Sequence, residues 1–77
     1  MAPIIGLQCF VARSALGWSV RHFARAAKVS QHTVARFESG DVLKATTVEK
    51  IQRAFETAGV VFIDTNDGGP GARLRKD

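Results

Sequence analysis

The first 37 residues contain no aspartate or glutamate. All seven acids fall at Glu38 or later, whereas Arg13, Arg21, Arg25, Lys28 and Arg36 precede it, with His22 and His32 beside them. One end of the chain is therefore more positive than the net charge of +4 conveys. That is the footprint of a polyanion binder, although a solvated basic face without a partner has the same composition. Other absences narrow the classes. A single cysteine, Cys9, excludes an intrachain disulfide framework and fits a reducing cytoplasm, where the protein is expected. Apolar runs are only a few residues long, against the ~20 that a membrane span needs, so no membrane contact is expected. No basic segment followed by an apolar core and a cleavage site is present, so a secretory signal is not expected. The stretch Gly68-Gly69-Pro70-Gly71 lacks the helix and lysine that follow a phosphate-binding loop. His22 and His32, with one distant cysteine, have no metal-ligand spacing, and their nearest carboxylate in sequence is Glu38. No catalytic pair, metal, cofactor or small-molecule effector is implied, and an enzyme is the least expected class.

What remains reads as one small, mostly α domain of 77 residues with 45% apolar content. Helix 1 is expected from Ile4 or Ile5 to Leu16, closed by Gly17 in a left-handed conformation. Cys9, Ala12 and Leu16 give it an apolar face that Ile5 extends. Ser19 caps helix 2, Val20 to Ala27, whose inward stripe is Val20, Phe23, Ala24 and Ala27. Trp18 lies before the cap, placed to pack on Phe23. Ser30 caps helix 3, which runs from Gln31 to about Ser39 and stops at Gly40. Thr46 followed by Glu49 predicts a capping box opening helix 4, Thr47 to Ala58, with Val48, Ile51, Phe55 and Ala58 inward. Gly59 ends it. Val60 to Ile63 reads as a strand, Asp64 to Gly71 as a turn, and Ala72 to Arg75 as a second alternating strand. A lone hairpin is marginal in water, so it must pack on the helices or pair with a second subunit.

The stretch from Ser19 to Glu38 carries the functional signal. Helix 3 has only Val34 and Phe37 as strong apolar positions, so most of it faces outward. A short helix of that kind fits the major groove, about 12 Å wide, with its N-terminal residues toward the bases. Gln31 can meet adenine N6/N7, Arg36 a guanine or a phosphate, and Thr33 a thymine methyl or a phosphate. His32 adds ring donors. Ser19, Arg21, Ser30, Lys44, Thr46 and Thr47 are the phosphate candidates, since helix N-termini offer free N–H groups and a favourable dipole.

Residues from about 7 to 58 resemble the helix-turn-helix domain of the XRE family. Counted from Val20, the unit has a small residue at its fifth place, Ala24, and apolar residues at its fifteenth and eighteenth, Val34 and Phe37. Its end, Phe37-Glu38-Ser39-Gly40, is similar to the apolar-Glu-x-Gly close of the family's recognition helix. The resemblance implies base contacts from Gln31, His32 and Arg36, with Ser30 and Thr33 nearby. It also implies a structural ion pair between Arg13 and Glu38. Two positions depart from the pattern. Val20 stands where a phosphate-touching glutamine is common, and Lys28 where glycine is usual. The family's fifth helix is replaced by the strand-like tail.

The sequence therefore predicts a four-helix, lambda-repressor-like DNA-binding domain over residues 4–58, followed by a β element over 60–76. The expected activity is sequence-specific binding of double-stranded DNA by a transcriptional regulator. A homodimer would place two recognition helices about 34 Å apart on a pseudo-palindromic operator. Val61, Phe62, Ile63 and Leu74 are the dimerisation candidates. Two alternatives stay open: an antitoxin that also binds DNA, and a protein-interaction module on the same scaffold.

Overall fold

The structure, a computed structural model, describes residues 3–63 and 71–75. Four helices precede a two-stranded sheet: α1 Gly6–Leu16, α2 Val20–Ala27, α3 Gln31–Glu38, α4 Ala45–Thr57, β1 Val60–Ile63 and β2 Gly71–Leu74. The strands pair antiparallel within the chain, Val60 opposite Leu74 and Ile63 opposite Gly71. The turn expected between them lies outside the described residues apart from Gly71, as do Met1, Ala2 and Lys76.

Serine hydroxyls start two of the helices. Ser19 accepts from the His22 backbone N–H at 3.0 Å, and Ser30 from that of Thr33 at 3.0 Å. The capping box expected at Thr46 does not form. α4 starts at Ala45 behind Lys44, with no side-chain cap. The carbonyl of Lys44 accepts from both Thr47 and Val48, and the adjacent Leu43 packs on the core, so the helix begins before Thr46 is reached. Ile5 likewise does not extend the inward face of α1. It precedes the helix in an extended conformation, where neighbouring side chains alternate sides, so Ile4 turns inward and Ile5 is 46% exposed. At the α2–α3 turn Lys28 adopts the left-handed conformation that glycine favours, φ 60° and ψ 42°. The turn keeps its shape against the preference of the residue, at a cost of about 1 kcal/mol.

The core is aromatic along one line. Phe23 of α2 stacks on Phe55 of α4 with centroids 4.0 Å apart, and Phe55 meets the edge of Phe62 of β1 at 5.8 Å. Trp18 lies over Phe23 at 6.4 Å and covers that end. Cys9, Ala12, Val34 and Ile51 fill the remaining space, all fully buried. Val20 is only half-buried at its margin. The hairpin belongs to this core through Val60 and Phe62. Phe62, 8% exposed, is thus a core residue, which corrects the expectation that it contacts a second subunit.

Two polar or steric details, neither read from the sequence, lock the layers. Gln8 is buried, and its side-chain oxygen accepts from the Ile5 N–H at 3.0 Å. Its amide nitrogen donates to the carbonyls of Ile63 at 3.0 Å and Gly71 at 3.2 Å. One side chain thus starts α1 and holds the end of the hairpin, and burial of Gln8 itself is offset because all its bonds are made. Gly6 sits so close to α3 that a methyl group there would overlap the backbone carbonyl of Phe37. The close approach at Gly6 and the left-handed conformation of Lys28 both bear on stability measured by urea unfolding. Gly6→Ala is expected to destabilise by about 3 kcal/mol, since the obstacle is backbone. Lys28→Gly is expected to stabilise by about 1 kcal/mol.

Candidate nucleic-acid interface

The outward face of α3 is held by an ion pair beneath it. Arg13 of α1 donates from Nε to Glu38 Oε2 and from a terminal nitrogen to Oε1, both at 2.9 Å. Its other terminal nitrogen donates to the Trp18 carbonyl at 3.0 Å. Both side chains are largely buried, 15% and 12% exposed. The hydrogen bond to Glu38 raises the Arg13 pKa further above its already high ordinary value. The Cys9 thiol also donates to Glu38 Oε2, at 3.3 Å. Burial pushes that thiol well up from its usual range, and the neighbouring Glu38 carboxylate adds to the shift. Cys9 is accordingly a packed, protonated core residue.

With Val34 and Phe37 buried and Glu38 engaged, α3 turns Gln31, His32, Ala35 and Arg36 to solvent. Helical geometry sets Ala35 between Gln31 and the pair His32 and Arg36. Ala35 is the one member of this face that sequence reasoning left out. The signal was present, since inward Val34 and Phe37 force position 35 outward. Thr33 is half-buried and its hydroxyl lies 2.8 Å from that of Ser30. Arg36 is not free: its Nε donates to Asp41 Oδ2 at 3.0 Å.

The phosphate candidates lie in two depressions, apart from Thr46. Ser30, Thr33, Arg36, Lys44 and Thr47 line one open depression of about 560 Å³ between α3 and the start of α4. Val42, 92% exposed, stands at its rim. Thr46, exposed, lies on the first turn of α4 outside that lining. Ser19 and Arg21 line a second depression of about 410 Å³ at the start of α2, with His22 and Arg25. The ring of His22 packs on Trp18 with centroids 4.5 Å apart. The Ser19 and Ser30 hydroxyls already accept from cap N–H groups; that of Ser19 retains a proton to donate, while that of Ser30 shares a hydrogen bond with the Thr33 hydroxyl. None of the four helices carries an acid in its first turn, so no carboxylate of that turn offsets their positive N-terminal ends.

The dimerisation candidates do not form one patch. Ile63 and Leu74 are both exposed, but the register sets Leu74 opposite inward Val60 and Ile63 opposite Gly71, at the other end of the ribbon. Alternation along the strands then sends the two side chains to opposite faces. A larger apolar exposure occurs on α1, where Leu7 and Phe10 are 53% and 49% exposed and border a groove with Ile5 and Val42.

Among the described residues no cluster of three or more His, Cys, Asp or Glu could hold a metal ion. No described helix is long and apolar enough to cross a membrane. No protein-family model matches the chain, and no curated protein matches it.

The thiol provides a check on this packing. In the folded protein Cys9 is expected to resist a disulfide reagent at pH 8 and to react at once in denaturant. Because its folded pKa is raised, the unfolded thiol ionises first. The contribution of Cys9 to stability is then full below about pH 8.5 and declines above it. A Cys9→Ser variant should lack the decline.

Proposed function

We propose that the chain is a sequence-specific double-stranded DNA-binding regulator with a lambda-repressor-like, XRE-type helix-turn-helix, α3 being its recognition helix. One observation carries the reading. α3 is buried only along Val34 and Phe37 and tied down by Arg13–Glu38, while Gln31, His32, Ala35 and Arg36 face outward together. Gln31 is the adenine reader and Arg36 the guanine reader, with the Ala35 methyl suited to thymine. Lys44, Thr46 and Thr47 at the start of α4, and Ser19 and Arg21 at the start of α2, flank this helix as phosphate contacts. Val20 replaces the polar residue that resemblance would place at the head of α2. The grip there falls to the Ser19 and Arg21 side chains and the backbone.

The regulator acts as a homodimer, because one short helix reads too few base pairs to select a site. The hairpin supplies the contact by strand pairing, through the side away from the core where Val61 and Ile63 point. A second reading, a protein-interaction module or antitoxin on the same scaffold, is favoured by the apolar side chains that α1 exposes at Leu7 and Phe10.

Fluorescence anisotropy on duplexes from the gene's own upstream region, and on random sequence, separates the readings. DNA binding by a dimer making six or more phosphate contacts should weaken about a thousandfold between roughly 50 and 200 mM salt. Gln31→Ala should lose about 1–3 kcal/mol on the preferred duplex and little on random sequence. Absent or salt-insensitive binding would favour the interaction module. Sedimentation then locates the dimer contact. Ile63→Lys should lower the dimer fraction, whereas dissociation by Phe10→Lys alone would move the contact to α1.

A further inference from the structure

We propose that Asp41 is a specificity-determining positioning residue. By holding Arg36 through its Nε it directs the free edge of the guanidinium at a guanine and away from the phosphate backbone. The inference rests on the DNA-binding reading above and assigns a role to a residue that reading does not use.

The placement of Asp41 follows from how α3 ends. Gly40 takes φ 101°. Its N–H bonds to the Phe37 carbonyl and the N–H of Asp41 bonds to the Arg36 carbonyl, each at 3.0 Å. This paired closure, made possible by a left-handed glycine, turns the chain back over the last turn of the helix. It delivers the residue after the glycine to the residue five positions earlier. Asp41 is thus joined to Arg36 twice, through the backbone and through the 3.0 Å bond from Nε to Oδ2.

The two acids near α3 are used differently. Glu38 takes Arg13 at both carboxylate oxygens in a largely buried pair. Asp41 takes Arg36 at Nε alone, with the two side chains 48% and 53% exposed. Among the described residues no other acceptor meets the Arg36 guanidinium. Its two terminal nitrogens therefore keep the fork that matches guanine O6 and N7. An exposed pair of this kind contributes little to folding stability. Its consequence lies in binding. A side chain already held in one orientation loses less freedom when it meets its base. A carboxylate beside it weakens the attraction of that arginine for phosphate, which is common to every sequence. Both effects raise the ratio of specific to random binding, the second by opposing the wrong partner. Lys44 and Thr47, which line the same depression as Arg36, remain the backbone contacts.

The test is selection from a pool of duplexes with a randomised core, followed by affinities for the enriched duplex, the same duplex with the Arg36-dependent guanine replaced, and random sequence. The wild type should enrich a guanine at a position that Arg36→Ala no longer selects. Asp41→Ala should lose about tenfold of the preference at that position. Its affinity for random sequence should rise and steepen in salt dependence by about one phosphate contact. Its thermal midpoint should hold; if it does not, Asp41→Asn replaces it in the same comparison. Full retention of the guanine preference in the Asp41 variant would overturn the proposal while leaving DNA binding intact. So would an Arg36→Ala loss shared equally by all sequences. A wild type that enriches no sequence would overturn the DNA reading itself, and this proposal with it.

Discussion

Arg13 and Glu38 form the contact on which the rest of the structure depends. The fork between them joins the first and third helices across the middle of a small core, and the remaining terminal nitrogen of Arg13 ties down the Trp18 carbonyl. A pair removed this far from water gains little net energy, because desolvation offsets most of the attraction. Its effect is geometric. Glu38 fixes the rotation of α3 about its own axis, so Val34 and Phe37 stay inward and Gln31, His32, Ala35 and Arg36 stay outward together. Gly6 lets α1 approach the backbone of α3 closely beside this pair. A second hydrogen-bonding anchor, Gln8, secures the other side of α1 to the hairpin. Fixing α1 on both sides converts four short helices, each too short to be stable alone, into one rigid support.

The electrostatics follow from that frame. Each of the helices starts without an acid, so positive helix ends and basic side chains reinforce one another around α3. The two acids close to it are both bound to arginines, one to hold the fold and one at the surface. A surface of this kind attracts any polyanion. In the DNA-binding reading proposed above, discrimination depends on which cations are free to swing and which are held; Arg36 is paired with Asp41, while Lys44 is not bonded to a described carboxylate. The strained conformation at Lys28 adds a further basic residue at the turn, a position where glycine would be easier for the chain.

Much of this was legible in the chain. The helices α2 and α3 fall where the serine caps and apolar spacing set them, because capping is local and needs no tertiary partner. The Arg13–Glu38 pair followed from resemblance, and the strand at Val60 from its β-branched run. The misreadings share one cause. Thr46 and Glu49 have the spacing of a capping box, but packing of Leu43 starts the helix earlier. Ile5 continues an apolar pattern, but lies outside the helix where the pattern no longer applies. Phe62 looks available on a strand with no partner fixed by its sequence, yet its edge-on contact with Phe55 commits it to the core.

By itself the sequence determined the element order, the caps, the acid-free first half and the narrow buried stripe that leaves α3 outward, since each depends on residues a turn or two apart. Tertiary structure alone decided the partners that lie far apart in sequence. Gln8 reaches Ile63 and Gly71, Gly6 meets Phe37, and the hairpin closes on its own chain instead of waiting for a second subunit. It also decided that Arg36 leaves the helix already oriented, because the left-handed turn at Gly40 brings Asp41 back to it. A glycine and an aspartate after a helix are ordinary in any sequence, and only the closed turn shows which side chain they meet.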